Sequence, residues 1–280
     1  MRLLFLSTIS FSFFGCASLF FHPNKEVRFT PEFFELDYES RRITTSDGET
    51  LFAWLLKAKN PKALIVFLHG NAGNISEHLP NVYWLPQRDF NVLSVDYRGY
   101  GASSGKPTIE GLIIDARSAI EYAINEFSDM PIAVFGQSIG GAAAIGAIEP
   151  YKEQIGALIT EGAFSSYEAI AKEVAKRSLL GYLALPFLGE IADKRYDPIE
   201  NIAALEGLPI WIIHGDRDLV VSVGHARELF DRAKEPKELN IVFNGGHIGS
   251  FAVNREKRER FAEAIDALFN RRDLKAGEKR

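Results

Sequence analysis

The chain has 280 residues, enough for one large α/β domain or two small ones. With 46% hydrophobic and 25% charged residues it can bury a core, and at a net charge of −5 it lacks the positive surplus of a general nucleic-acid binder. One cysteine excludes a disulfide framework and a multi-cysteine zinc site, and a mean hydropathy of −0.05 excludes a polytopic membrane protein.

The first element reads as a sorting signal. Arg2 is followed by Leu3 to Phe14, apolar apart from Ser and Thr. At about 12 residues this run is too short to cross a ~30 Å bilayer as a stable helix and matches the hydrophobic region of a secretory signal. Gly15-Cys16-Ala17 comes next. A small residue before a cysteine at this place resembles the bacterial lipobox, with Phe13 where that family prefers Leu. The resemblance implies cleavage before Cys16 and acylation of its sulfur and of the new amino terminus. Ala17, rather than Asp, after the cysteine favours delivery to the outer membrane. On this reading residues 1–15 are a signal peptide, Cys16 carries lipid such as palmitate, and residues 16–40 are a tether and lead-in on the periplasmic side. The competing reading is an uncleaved apolar anchor with an incidental cysteine.

Residues 41–272 read as one domain, with residues 273–280 a polar tail. Arg42 to Lys57 predicts a hairpin turning at Ser46-Asp47-Gly48-Glu49. Apolar runs follow at Ala63–Leu68, Asn91–Asp96, Ile132–Phe135, Ala157–Thr160, Ile210–Ile213 and Leu239–Phe243. Runs this continuous suit strands buried on both faces of a parallel sheet. Helical periodicity lies between and after them, at Glu110–Phe127, Ile139–Ile148, Val223–Ala233 and Asn254–Asn270. The alternation predicts an α/β fold: a doubly wound, mostly parallel sheet with helices on both faces and an antiparallel start. An insertion at about 164–204, with the apolar run Leu179–Leu188, breaks the rhythm. It reads as a small helical cap over the carboxyl edge of the sheet, or else as a helix pair filling its own core.

The chemistry centres on Gly136-Gln137-Ser138-Ile139-Gly140. This G-x-S-x-G follows a strand directly and opens a small-residue helix, the setting a nucleophile elbow needs. A serine hydroxyl is a weak nucleophile until a base takes its proton. Of the six histidines, His247 in Asn244-Gly245-Gly246-His247 follows the last strand and is the expected base. The other five read as tether, loop, turn or helix residues. His214, in His214-Gly215-Asp216-Arg217-Asp218, is taken as a turn residue. In that same stretch Asp218 is the expected orienting acid, with Asp216 and Glu161 as rivals. The Ser138, Asp218, His247 order is that of α/β hydrolases. The backbone N–H groups of Asn71, in His69-Gly70-Asn71-Ala72-Gly73, and of Ile139 are the expected oxyanion donors. Asp96 and Arg98 read as a structural pair under the elbow.

Taken together, His69-Gly-Asn-Ala-Gly-Asn74, Asp96-Tyr-Arg-Gly-Tyr-Gly-Ala-Ser103, Gly136-Gln-Ser-Ile-Gly-Gly141 and His214-Gly-Asp-Arg-Asp218 resemble the α/β-hydrolase superfamily. Within it they look like the bacterial serine aminopeptidase-like or dienelactone hydrolase-like branch, over roughly residues 40–272. The resemblance implies acyl-enzyme hydrolysis without a cofactor or a metal. The expected protein is a membrane-tethered serine hydrolase of small esters or thioesters. A serine peptidase is the alternative within the class, and a catalytically idle envelope binding protein the alternative outside it.

Overall fold

A computed structural model describes residues 21–177 and 193–278. The signal region with Cys16 and the apolar run Leu179–Leu188 lie outside the described residues. Eight strands build the main sheet: β1 (Tyr38–Thr44), β2 (Thr50–Leu56), β3 (Ala63–Leu68), β4 (Phe90–Val95), β5 (Ile132–Gln137), β6 (Ala157–Glu161), β7 (Ile210–Gly215) and β8 (Lys237–Val242). Their spatial order is β1-β2-β4-β3-β5-β6-β7-β8. β1 and β2 pair antiparallel, β2 and β4 pair antiparallel, and every later pairing is parallel.

Strand β3 shows why the apolar runs are unbroken. Leu64, Val66 and Leu68 enter one core, and Ala63, Ile65 and Phe67 enter another on the opposite face. A strand with helices on both sides has no solvent face to carry polar residues. The first core lies under α2 (Ile109–Glu126), α3 (Ile139–Ala147) and α5 (Val223–Arg232). The second lies under α1 (Ile75–Val82) and α6 (Arg255–Glu278), where Phe67, Phe135, Trp211, Phe251 and Phe261 form a ring cluster. A further helix, α4 (Tyr167–Ala175), opens the insertion and is capped by Ser166.

Two boundaries and one side-chain pair differ from the sequence reading. Helix α6 continues to Glu278, because residues 271–276 contain neither Gly nor Pro to stop it. Residues 21–37, expected as tether and lead-in, pack on the domain: Phe21 is buried, and Pro31–Phe34 form a 3-10 turn. The Asp96–Arg98 pair does not form. Arg98 instead donates through Nε and Nη2 to Asp115 of α2 (2.9 and 2.8 Å) and through Nη1 and Nη2 to Asp47 in the hairpin turn (2.7 and 3.0 Å). The bond from Arg98 leads the effects that draw the Asp47 carboxyl down to about 2.

Arg98 therefore staples the antiparallel start of the sheet to α2. Asp115 has no exposed side-chain surface, so removing its cation strands a buried charge. Arg98→Met is expected to destabilise the domain by about 3–5 kcal/mol. Urea unfolding checks this, and a loss below about 1 kcal/mol on the same scale refutes the staple.

Candidate active site

Strand β5 ends at Gln137 and helix α3 starts at Ile139, so Ser138 alone must turn the chain. It does so at φ 55°, ψ −119°, a region that costs a non-glycine residue about 1–3 kcal/mol. The flanking glycines let the turn sit close to its neighbours. A Cβ on Gly140 would lie 2.1 Å from the Leu68 carbonyl oxygen, and one on Gly136 would lie 2.5 Å from the Gly140 carbonyl oxygen. Gly140 is thus set by its approach to the end of β3, and Gly136 by the elbow's own turn into α3. The Ser138 N–H is tied to the Glu161 carbonyl at 2.8 Å.

Ser138 Oγ lies 2.9 Å from His247 Nε2, and His247 Nδ1 lies 2.7 Å from Asp218 Oδ2. The three side chains come from loops after β5, β7 and β8. Asp218, not Asp216 or Glu161, carries the carboxylate that reaches the imidazole. Asp216 is exposed. Glu161 is occupied elsewhere, accepting from Gln137 Nε2 (2.6 Å) and from the Ser250 N–H (2.7 Å). Gln137 in turn accepts from Asn81 of α1 at 2.8 Å, so the strand end under Ser138 is braced from both sides.

Two positions around His247 carried no signal in the sequence. Gly162, at φ +65°, leaves room for it: a Cβ there would come within 2.4 Å of the His247 carbonyl oxygen and 3.1 Å of its Nδ1. His214, expected as a turn residue, is buried and touches the acid. Its Nε2 is 2.9 Å from the Val221 carbonyl, which only accepts, so Nε2 carries the hydrogen. The same atom stands 3.1 Å from Asp218 Oδ2. Asp218 Oδ1 accepts from the N–H groups of Val220 (2.7 Å) and Val221 (2.9 Å). Four donors therefore surround one carboxylate. Burial pushes the Asp218 carboxyl up, but the bonds from His214 and His247 prevail and hold it well below the usual carboxylate range.

Of the two expected oxyanion donors, Ile139 follows Ser138 directly. Ile139 is the first residue of α3, so its N–H belongs to the turn that has no acceptor inside the helix. Asn71 lies in the 69–74 loop, which the Gly140 contact brings against the elbow. The Asn71 side chain is turned to Tyr100, whose hydroxyl donates to its Oδ1 at 2.8 Å. Tyr97 donates to the His69 carbonyl at 2.8 Å, and His78 Nε2 donates to the Ala72 carbonyl at 2.8 Å. Burial drives the His78 imidazole down to about 3, so it remains a neutral donor under this loop.

The family model described as serine aminopeptidase, S33 matches residues 59–196. The uncharacterised protein YfhR of Escherichia coli K12 is 36% identical over 243 residues, which cover 84% of this chain and 81% of YfhR. The α/β hydrolase domain-containing protein WAV2 of Arabidopsis thaliana is 31% identical over 242 residues, 80% of this chain and 76% of WAV2. The chain belongs to the α/β-hydrolase family. The Pyrococcus furiosus esterase Pf2001 superposes on this hydrolase with a TM-score of 0.72 at 21% identity, over 90% of this chain and 98% of the esterase. That likeness is one of fold.

This hydrolase contains a second close serine–histidine contact, Ser165 Oγ to His225 Nδ1 at 2.7 Å. Ser165 Oγ also donates to Glu228 at 2.5 Å, and the Ser165 N–H donates to the same Nδ1 at 3.2 Å. A nitrogen already accepting a backbone N–H is a poor base, and Ser165 stands on no strained turn. The contact ties the start of the insertion to α5.

Proposed function

We propose that this α/β hydrolase is a serine hydrolase cleaving carboxylic esters or thioesters of modest size through an acyl-enzyme. The observation that carries the reading is the 2.9 Å contact between His247 Nε2 and a serine on a strained elbow. His247 takes the proton from Ser138 Oγ as that oxygen bonds to the substrate carbonyl carbon. The charge that develops on the carbonyl oxygen is met by the N–H groups of Asn71 and Ile139. His247 then returns its proton to the departing alcohol or thiol as the acyl–oxygen or acyl–sulfur bond breaks. In the second half a water gives a proton to His247, attacks the acyl carbon, and the Ser138–acyl bond breaks with Ser138 reprotonated. Asp218 stays ionised throughout and holds the imidazolium in register.

Two supports favour esters with an apolar acyl part. Leu219 and Phe243 are 86% and 80% exposed and stand on the loops that carry Asp218 and His247. The fold's solved relatives include esterases. The family description names an aminopeptidase instead, so the test includes that chemistry. A fluorophosphonate probe is expected to label the protein once per chain at Ser138, with Ser138→Ala unlabelled. A graded panel of p-nitrophenyl esters is expected to turn over faster than aminoacyl p-nitroanilides. A folded chain that takes no label is a binding protein, and a preference for the anilides makes it a peptidase.

The proposal also places the hydrolase on a bacterial envelope membrane, outer membrane favoured, through lipid on Cys16. Phe21, buried in the domain, follows Cys16 by five residues, which span at most ~18 Å when extended. Cys16→Ser is expected to leave unprocessed precursor or to release soluble protein, and unchanged membrane processing refutes the anchor.

A further inference from the structure

The segment just after the proposed anchor is bound to the 69–74 loop. His22–Pro23 pairs in parallel with Ala72–Gly73 as a two-residue bridge. The Asn24 N–H donates to the Gly73 carbonyl at 3.0 Å, and the His22 N–H donates to Asn71 Oδ1 at 3.3 Å. Asn74 completes the grip. Its Oδ1 caps α1 by accepting the Ser76 N–H (2.9 Å), while its Nδ2 donates to the backbone carbonyls of Asn24 (3.1 Å) and Glu26 (2.7 Å). The Arg28 N–H donates to Ser76 Oγ at 2.9 Å, and the Asn24 carbonyl also accepts from the Gly101 N–H at 2.9 Å.

We infer that residues 21–28 form a strap that positions the oxyanion loop, with Asn74 and Asn24 as its positioning residues. The inference rests on the serine hydrolase reading for its effect on rate, though not for its effect on the loop. The 69–74 loop contains Gly70 and Gly73, the latter at φ +85°, so its backbone has little stiffness of its own. Tyr97, Tyr100 and His78 hold it from the domain, and the strap adds bonds to Asn71, Gly73 and Asn74. An oxyanion donor works only where the charge develops, and displacement by about 1 Å costs on the order of 10²-fold in rate. Among the described residues no hydrogen bond links the strap to Ser138, His247 or Asp218, so its loss acts on the donor and not on the nucleophile.

Asn74→Asp tests this in the full-length chain. Aspartate keeps the oxygen that caps α1 but replaces the two N–H donors with an oxygen facing two carbonyls. Asn24→Pro is the second variant: at a partly exposed position it deletes the N–H to Gly73, together with the side-chain bonds of Asn24 to Glu77 and from the Glu26 N–H. In both, kcat on p-nitrophenyl butyrate is expected to fall about 30- to 100-fold with KM within about threefold. Amide hydrogen exchange across residues 70–74 is expected to quicken at least about tenfold, since the loop loses the bonds that the Asn24 N–H and the Asn74 side chain make between it and the strap. A kcat within about threefold of the parent in folded variants overturns the inference, as does unchanged exchange in the loop. If the parent hydrolyses no ester, the serine hydrolase reading fails by itself, and the exchange measurement still decides whether the strap holds the loop.

Discussion

His247→Ala is expected to lower ester turnover by about 10⁶-fold and to abolish fluorophosphonate labelling of Ser138. A serine hydroxyl needs its proton removed as it attacks, and among the described residues the base in contact with Ser138 Oγ is His247. Among the described residues no other imidazole is hydrogen-bonded to Ser138 Oγ. His69 Nδ1 is bound to the Gly70 carbonyl, His78 Nε2 to the Ala72 carbonyl and His214 Nε2 to the Val221 carbonyl. The variant should stay folded, because the His247 side chain is partly exposed and Asp218 keeps three of its four donors. His225→Ala is the matched control. It deletes the other serine–histidine contact, so turnover should stay within about threefold while Ser138 still labels. Steady-state kinetics on the ester panel and intact-mass labelling decide it. A His247→Ala enzyme retaining more than about a hundredth of the parent rate refutes the proton-transfer role.

Much of this site was legible because its parts are fixed by backbone constraints that leave a sequence trace. The strand runs are apolar because both sheet faces are covered, as β3 shows residue by residue. The elbow glycines are dictated by the approach of Gly140 to the Leu68 carbonyl and of Gly136 to the Gly140 carbonyl. What the sequence hid lies in contacts without periodicity. Asp216 and Asp218 share one loop, and only the folded turn, which aims the Val220 and Val221 N–H groups at Asp218, separates them. His214 looked like punctuation after a strand, yet the same turn carries Asp218 back against its ring. Asp96 and Arg98 are two apart, but Asp96 turns its Oδ1 to the Ile75 N–H at the start of α1 while Arg98 reaches α2. The strap was invisible because its grip uses mostly backbone carbonyls and N–H groups, which every residue has, on a segment with no apolar pattern.

Asp218→Asn should cost about 10⁴-fold in kcat, more than a neutral hydrogen-bond deletion, because it reverses the direction of a bond. The Val220 and Val221 N–H groups demand an acceptor and hold the amide oxygen. The amide nitrogen then faces His247 Nδ1 and His214 Nε2. His214 cannot accept, since its Nε2–H already serves the Val221 carbonyl. His247 can accept at Nδ1 only by carrying its hydrogen on Nε2, pointing at Ser138 Oγ, and in that tautomer it takes no proton from the serine. The same substitution has a second, independent signature in stability. The folded Asp218 carboxyl is held well below its unfolded value, so the unfolded chain binds more protons in acid. The stability this group contributes is complete above the unfolded carboxylate pKa of about 4 and is lost as the pH falls further. Asparagine has no such proton to take up. The slope of unfolding free energy against pH below about 4 should therefore be shallower in Asp218→Asn than in the parent. Urea titrations at stepped pH measure it, and parallel slopes for the two proteins would mean that the four donors around Asp218 do not hold it ionised.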